Sequence, residues 1–288
     1  KVFEVTEDHG FVHPGGIVSQ QDIDRAKQLL ASGNERIKKA WDILCANEYS
    51  RADIATWPVE TIIRGGSSGQ NYMNVARGAA LAYQNALRWK IGGTRDNADG
   101  AVRILMAWAR GNRWVSGDTN VSLAAGIYGY ELANAAEVMR DYDGWSREDF
   151  EEFRQYMIRT WYNPAIDFLR RRHDTWLNAR NNVGQRPGHY WSNWGLCNAL
   201  CVMSIGILCD DVHMYNQGIS FYKYDHVGTF KDRSGESVIL NDGCNEFIGN
   251  LVPVVLPDER GPLGYLGQLQ ESGRDQGHAL MALGLALD

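Results

Sequence analysis

The sequence predicts an all-α protein built as an α/α toroid, that is, a ring of helical hairpins. Helical segments recur along most of the chain, and those that are apolar on every face alternate with amphipathic ones. A helix that is apolar all round is buried, whereas an amphipathic helix covers a core with one face. The alternation therefore indicates an inner ring of helices inside an outer ring. An irregular helical bundle is the alternative architecture.

The predicted helices can be placed in chain order. The first begins at Ser19, which has the side chain of a helix N-cap and is followed three residues later by Asp22. We expect helices at about 19–32, 34–47, 70–90, 95–111, 119–141, 147–172 and 190–210, and a last helix that ends the chain. The region 226–266 is rich in Gly and Asp and has short β-like runs, which predicts a small irregular insertion.

No linker divides the 288 residues, so a single toroid domain over 1–288 is predicted. The sequence starts at Lys1 rather than Met, which suggests that a leading segment has been removed, either a signal peptide or a trimmed stretch. It ends at Asp288 directly after an apolar helix, which leaves room for further helices.

Composition narrows the class of protein. The net charge of −6 argues against a nucleic-acid partner, and no apolar run is long enough for a membrane span. The five Cys show no zinc or disulfide spacing, and Cys197 and Cys201 fit small core residues. Because no phosphate loop or metal motif occurs either, no cofactor and no metal are predicted. Ten Trp suit either a large core or flat sugar-binding surfaces.

The last helix opens with a cluster of ionisable residues. Glu271, Arg274, Asp275 and His278 stand at spacings of three, four and seven, which would place them on one helical face. Charge at the start of a buried helix is costly unless the groups line a wet cleft or pair with one another. The spacing therefore predicts a polar site at the mouth of an apolar helical core.

A second polar segment, residues 180–194, feeds directly into the other strongly apolar helix. A capped helix entry with Asn in turns would explain it without any function. We favour a functional site because both deeply buried helices begin with His, aromatic and amide groups. The candidates in this segment are Asn181, Asn182, His189, Tyr190, Trp191, Asn193 and Trp194.

Three segments in the same order carry a family resemblance: Val12 to Ile17, Asn181 to Trp191, and Gln270 to Asp275. Together they resemble the alginate lyase superfamily, and more narrowly bacterial polysaccharide lyases with an α/α-toroid fold that act on alginate or polyglucuronate. The resemblance implies β-elimination on a 1,4-linked polyuronate, an acidic polysaccharide. It also implies a secreted or periplasmic protein. In such a reaction the C6 carboxylate is neutralised, the C5 proton is removed and the departing O4 is protonated.

The resemblance also suggests roles for individual residues. Asn181 or Asn182 corresponds to the family's neutralising amide, and Arg274 to its carboxylate-binding Arg. His189 corresponds to the His of an Asn-Asn-His-x-Tyr-Trp pattern, although six residues separate it from Asn182 here. A His near neutral pKa suits a base.

The proton donor is less clearly indicated. The family places a Tyr after its Arg, where this chain has His278, so His278 could be a base or could simply pair with Glu271 or Asp275. The candidate donors are Tyr190, Tyr265 and the inner-helix tyrosines Tyr72, Tyr128 and Tyr130. Trp191 and Trp194 are candidate sugar platforms or core residues, and Asn193, Tyr128, Tyr265 and Glu271 complete the candidate substrate-binding set.

Two other functions remain open at this point. A glycoside hydrolase would need two carboxylates on opposite sides of the scissile bond, which pairs Glu271 or Asp275 with a distant acid such as Glu131 or Asp242. A non-catalytic glycan-binding protein would use Trp191 and Trp194. The segment from Arg64 to Tyr72 could be a lid over the cleft or a loop without a role.

Overall fold

The computed structural model describes residues 10–66, 69–169, 193–223, 229–231, 237–239, 254–257, 265–268 and 274–288. The helices are α1 (Gln20–Ala31), α2 (Glu35–Ala46), α3 (Met73–Gly92), α4 (Arg95–Gly111), α5 (Asn120–Met139), α6 (Arg147–Tyr156), α7 (Asn193–Leu208), α8 (Val212–Lys223) and α9 (Gln276–Leu287). The strands are β1 (Thr61–Arg64), β2 (Trp114–Gly117), β3 (Thr229–Lys231), β4 (Ser237–Ile239), β5 (Val254–Pro257) and β6 (Tyr265–Gln268). A short 3₁₀ helix covers Glu48–Ser50, and a π-helical stretch, Met157–Tyr162, continues α6.

The helices form the predicted α/α toroid. Helices α3, α5, α7 and α9 pack side by side in that order as an inner layer, while α4, α8 and the π-helical continuation of α6 pack against its outer side. The layers differ as expected. Fourteen residues of α5 are buried, whereas α6 buries only Phe153 and Tyr156 and exposes most of its charged residues. No helix in the described ranges is long and apolar enough to cross a membrane.

Close contact between α5 and α7 explains the small residues in both. A Cβ atom at Gly126 would lie 2.4 Å from the Cys197 sulfur, and one at Gly129 would lie 2.5 Å from the Cys201 sulfur. Both thiols are buried and neither forms a disulfide, which confirms them as small core residues. The inner helices therefore approach one another at distances that only glycine permits.

Helices α3, α5 and α7 share a direction because each is followed by an outer helix that returns the chain. Helix α9 is aligned with them, since Asn193 at the start of α7 bonds to the carbonyl of His278 at the start of α9. Their N-terminal ends therefore lie at one rim of the toroid, here called the entry rim. Strands β1 and β2 lie there, directly before α3 and α5, as a parallel pair with Thr61 opposite Trp114 and Arg64 opposite Gly117. The sequence predicts no strand between the helices at about 34–47 and 70–90 or between those at about 95–111 and 119–141, so this strand pair is a correction. Two further antiparallel pairs, β3–β4 and β5–β6, lie in or next to the predicted insertion at 226–266.

The opposite rim is closed by the N-terminal His13-Pro14-Gly15-Gly16 segment. The His13 ring bonds to Glu137, which is 2% exposed near the end of α5, and its Nε2 lies 2.8 Å from Asp210 just past the end of α7. The Gly15 amide donates to Glu137 at 3.0 Å, and a Cβ at Gly16 would meet the Asn134 side chain at 2.4 Å. This segment of the family resemblance therefore ties two inner helices together at the rim away from β1 and β2.

Helix boundaries differ from expectation at the end of the chain. Asp275 has an extended backbone and caps α9, which begins at Gln276. Arg274 and Asp275 therefore precede the helix. The prediction from their spacing, that they share a helical face with His278, was wrong. Helix α8 was not predicted. Its sequence contains Gly218, which packs against Met203 and the Ala199 carbonyl of α7, so tertiary contact stabilises it.

Candidate functional site

The entry rim gathers polar residues from the segments that lead into the inner helices. Arg64 ends β1, Tyr72 lies directly before α3, and Tyr128 lies two turns inside α5. The Arg64 guanidinium carbon lies 4.7 Å from the centre of the Tyr72 ring and 5.7 Å from that of Tyr128. The two rings stack with centroids 6.4 Å apart at an angle of 20°. We call these three residues the Arg64 cluster.

The Arg64 charge has no carboxylate partner within ion-pair distance in the described structure. Its one hydrogen bond runs from Nη1 to the Tyr128 hydroxyl at 3.3 Å. The Arg64 charge also acts on Cys197 of α7. Burial raises the pKa of the Cys197 thiol to about 12, and the Arg64 charge partly offsets this rise. Among the residues that the structure describes, this half-buried guanidinium contacts two aromatic rings and one hydroxyl, so it keeps donors available for an anion.

Tyr128 keeps its proton at neutral pH. Burial raises the pKa of its hydroxyl to about 12, against the opposing charge of Arg64. Because the Tyr128 oxygen accepts from Arg64, its own hydrogen remains available to a further acceptor. A protonated phenol beside a guanidinium can therefore donate a hydrogen bond or a proton.

The segment that carries Arg64 is held in place by its neighbours. Gly65 and Gly66 have φ of +77° and +83°, and the Gly66 amide donates to Asp118 at 3.0 Å. Hydrogen bonds from Asn120 and Gly66 lower the pKa of the Asp118 carboxyl, so it stays charged. The Gln70 side chain accepts from the Gly65 amide at 2.8 Å. These contacts position Arg64 before any ligand binds.

Two predicted site residues link α7 and α9 at the same rim. Asn193 is buried at 2% exposure and donates to the His278 carbonyl at 3.3 Å. The His278 ring lies 2.6 Å from Asp275, which also accepts from the His278 amide, and these bonds lower the pKa of the Asp275 carboxyl. His278 therefore has the carboxylate partner that the sequence offered as its structural role.

The remaining candidates are placed unevenly. Trp194 is half-buried, with its ring 6.1 Å from that of Phe168, and Arg274 is exposed just before α9. Tyr265 begins β6, paired with Pro257, and its side chain lies outside the described part. Six candidates fall outside the described residues: Asn181, Asn182, His189, Tyr190, Trp191 and Glu271. In the sequence these residues precede the inner helices α7 and α9, whose first turns lie at this rim.

A cavity of about 460 Å³ lies between α3 and α5 and is also lined by Ile17 of the N-terminal segment. Its polar lining comes from Tyr83, Gln84, Tyr130, Glu131, Asn134 and Asp288. Burial raises the pKa of the Glu131 carboxyl to about 7, so its protonated form is populated near neutral pH. Within the described structure, His, Cys, Asp and Glu nowhere form a group of three that could hold a metal ion.

Sequence reasoning named Tyr128 but missed Arg64 as a site residue. The available signal was an Arg directly before Gly65-Gly66, because paired glycines often let the backbone turn sharply and aim a preceding side chain. What could not be read from the sequence was the β1–β2 pairing that brings Arg64 to α5.

Comparisons with known proteins agree with this architecture. Residues 27–233 match the family model for alginate lyase. The solved structure of alginate lyase A1-III from Sphingomonas species A1 is similar with a TM-score of 0.52 and 14% sequence identity over 78% of this chain. The match covers 64% of that chain, so the present sequence spans less than two thirds of its length. No curated protein matches the sequence. Since the family model covers well over half of the residues, the chain belongs to the alginate lyase family.

Proposed function

We propose that this protein is a polysaccharide lyase that cleaves a 1,4-linked polyuronate, alginate or a glucuronan, by β-elimination. The observation that carries the proposal is the Arg64 cluster: a cation without an acidic partner among the described residues, beside a protonated phenol, at the entry rim of a family toroid. A uronate brings both an anion for the guanidinium and an ether oxygen that needs a proton.

The reaction balances without water or a redox partner. A base removes the C5 proton, the electron pair forms a C4=C5 double bond, and the C4–O4 bond breaks while O4 takes a proton. The products are an unsaturated uronyl end and a new end on the departing chain. Because a carboxylate makes the C5 proton weakly acidic, its charge must be offset while the carbanion-like state forms.

We assign Arg64 to this offset, together with Arg274 and the amide of Asn181 or Asn182. A guanidinium can bind a carboxylate through two parallel hydrogen bonds, which fixes the sugar as well as offsetting its charge. Arg64 suits this role because forming such a pair breaks no existing ion pair in the described structure.

We assign the proton transfers to His189 as base and to a tyrosine as acid. Tyr190 was the first choice from sequence, and Tyr128 becomes an equal candidate because its proton has no acceptor among the described residues. His278 is assigned to positioning the start of α9, since its ring is engaged by Asp275. A secreted or periplasmic location, where such polymers occur, is part of the proposal.

The test follows the new double bond, which absorbs ultraviolet light because it is conjugated to the carboxyl group. The enzyme is incubated with alginate, polyglucuronate and a neutral glucan. A second control is an intact polymer prepared from whichever polyuronate serves as substrate, by reducing its carboxyl groups to alcohols. We expect absorbance to rise on a polyuronate and on neither control. New reducing ends without absorbance would indicate a glycoside hydrolase, and binding without either product would indicate a glycan-binding protein.

A further inference from the structure

We propose that a groove on the outer side of α3, close to the entry rim, is an auxiliary binding site for an acidic polysaccharide. The groove is lined by Glu48, Tyr49, Ile54, Trp57 and Arg77 and has a volume of about 280 Å³. We call it the Trp57 groove. It is separate from the Arg64 cluster and shares no residue with it. The choice of an acidic polymer rests on the proposed function.

The groove presents an aromatic face that folding does not use. Trp57 is 52% exposed, although most large apolar side chains in the described core are buried. Tyr49 and Ile54, which line the same groove, are partly buried and pack against the core. A flat, half-exposed indole next to these side chains can stack on the CH-rich face of a sugar ring.

The groove also holds an unpaired positive charge. Arg77 is exposed and forms neither an ion pair nor a side-chain hydrogen bond in the described structure. The nearby Arg51, in contrast, is bonded to Asp53 at 2.8 Å. Arg77 therefore offers its donors to an anion, whereas Glu48 on the same groove opposes one. A uronic acid polymer matches the combination of Trp57 and Arg77 better than a neutral glycan does.

The groove is preformed because its loop is anchored. Arg103 of α4 donates to the carbonyl of Ala52 at 2.8 Å and to that of Ile54 at 3.0 Å. Asn85, fully buried on α3, donates to the Tyr49 carbonyl at 3.3 Å. Little loop ordering is therefore needed when a ligand binds, which reduces the entropic cost of binding.

The position of the groove suits a polymer that enters the toroid. Trp57 lies four residues before β1, whose last residue is Arg64. Arg77 of α3 lies five residues after Tyr72, which corresponds to about 7.5 Å along the helix axis and about 140° around it. Arg77 and Tyr72 therefore face different sides of the helix, so a polysaccharide of several units is needed to contact both the Trp57 groove and the Arg64 cluster.

The experiment measures binding and cleavage separately. Binding is measured by the retardation of the folded protein in native gels that contain alginate, polyglucuronate or a neutral glucan. The variants are Trp57→Ala, Arg77→Ala and Glu48→Gln, and the matched controls are Trp114→Ala, 63% exposed outside the groove, and Arg113→Ala, an exposed arginine. Cleavage is then compared between the polymer and a short oligomer.

We expect Trp57→Ala to weaken polyuronate binding about ten-fold and Arg77→Ala about three-fold, while Glu48→Gln tightens it. Cleavage of the short oligomer should stay at the wild-type rate in all three. Binding equal to that of the two controls would overturn the proposal, and so would equal retardation by the neutral glucan. Because retardation does not require turnover, a protein that binds through Trp57 but cleaves nothing would refute the proposed lyase activity and leave the groove supported.

Discussion

Replacing Arg64 tests the proposed site most sharply among single substitutions. Arg64→Ala removes a half-buried guanidinium that pairs with no carboxylate in the described ranges, so its loss leaves no acidic group there unpaired. If Arg64 offsets charge that develops on the substrate carboxyl, its removal resembles the loss of one donor to a developing anion. Such losses cost about 10²–10³ in kcat, or roughly 3–4 kcal/mol. Arg64→Lys keeps the positive charge but cannot form two parallel hydrogen bonds to a carboxylate, so its kcat should lie between that of the wild type and that of Arg64→Ala.

The same substitution has a smaller effect on stability, worked from its contacts. The guanidinium lies over two tyrosine rings and donates one hydrogen bond at 3.3 Å. Each cation–π contact at a partly exposed site is worth about 0.5–1 kcal/mol, so unfolding should become easier by about 1–2 kcal/mol. Removing the charge also raises the pKa of Tyr128 further, because Arg64 lowers it in the wild type.

The assay is initial-rate absorbance on the polyuronate that is cleaved best, with thermal unfolding measured on the same samples. Arg113→Ala, an exposed arginine next to β2 whose ion pair with Glu60 spans 3.8 Å, is the matched control. Activity of Arg64→Ala within two-fold of that control, in a protein that remains folded, would refute the role given to Arg64.

Three further predictions follow from the same contacts. Tyr128→Phe keeps the ring stacked on Tyr72 but removes the proton, so kcat should drop about 10²-fold with little change in the unfolding temperature; unchanged kcat would leave Tyr190 as the donor. Burial raises the pKa of Glu131 from 4.5 to about 7, so the free energy of unfolding should fall by up to about 3 kcal/mol as the pH rises from 4.5 through 7. In denaturant titrations, Glu131→Gln should remove this pH dependence of the free energy of unfolding. Gly126→Ala places a Cβ 2.4 Å from the Cys197 sulfur and should lower the free energy of unfolding by about 1–3 kcal/mol. Gly284→Ala, with open space around it, should raise the free energy of unfolding by about 0.5–1 kcal/mol. Equal effects of the two substitutions in thermal unfolding would contradict the close packing of α5 on α7.

The architecture was predictable because it depends on local patterns. The apolar, Gly-rich residues of α5 and α7 demand burial on every side, and the Ser19–Asp22 pair marks the start of α1, where the structure has a complete capping box. These signals depend on residues within a few turns of one another, which a sequence displays directly.

The candidate site was harder to predict because it depends on contacts between distant segments. Arg64 meets Tyr128 only through the pairing of β1 with β2, and neither four-residue strand has a strong pattern of its own. The predicted face of Arg274, Asp275 and His278 was wrong for a local reason: the Asp275 side chain accepts from the His278 amide, so it caps the helix instead of joining it. Helical spacing alone cannot distinguish an N-cap from a first-turn residue.

The central claim is that the bond is broken by elimination on a uronate. Mass spectrometry of the oligomers released from alginate or polyglucuronate measures this directly, because elimination yields a product one water lighter than hydrolysis does. We predict oligomers that lack one water, absorb in the ultraviolet, and form about 10²–10³ times more slowly when Arg64 is replaced by Ala. Oligomers with the full mass of hydrolysis products and no ultraviolet absorbance would contradict the claim.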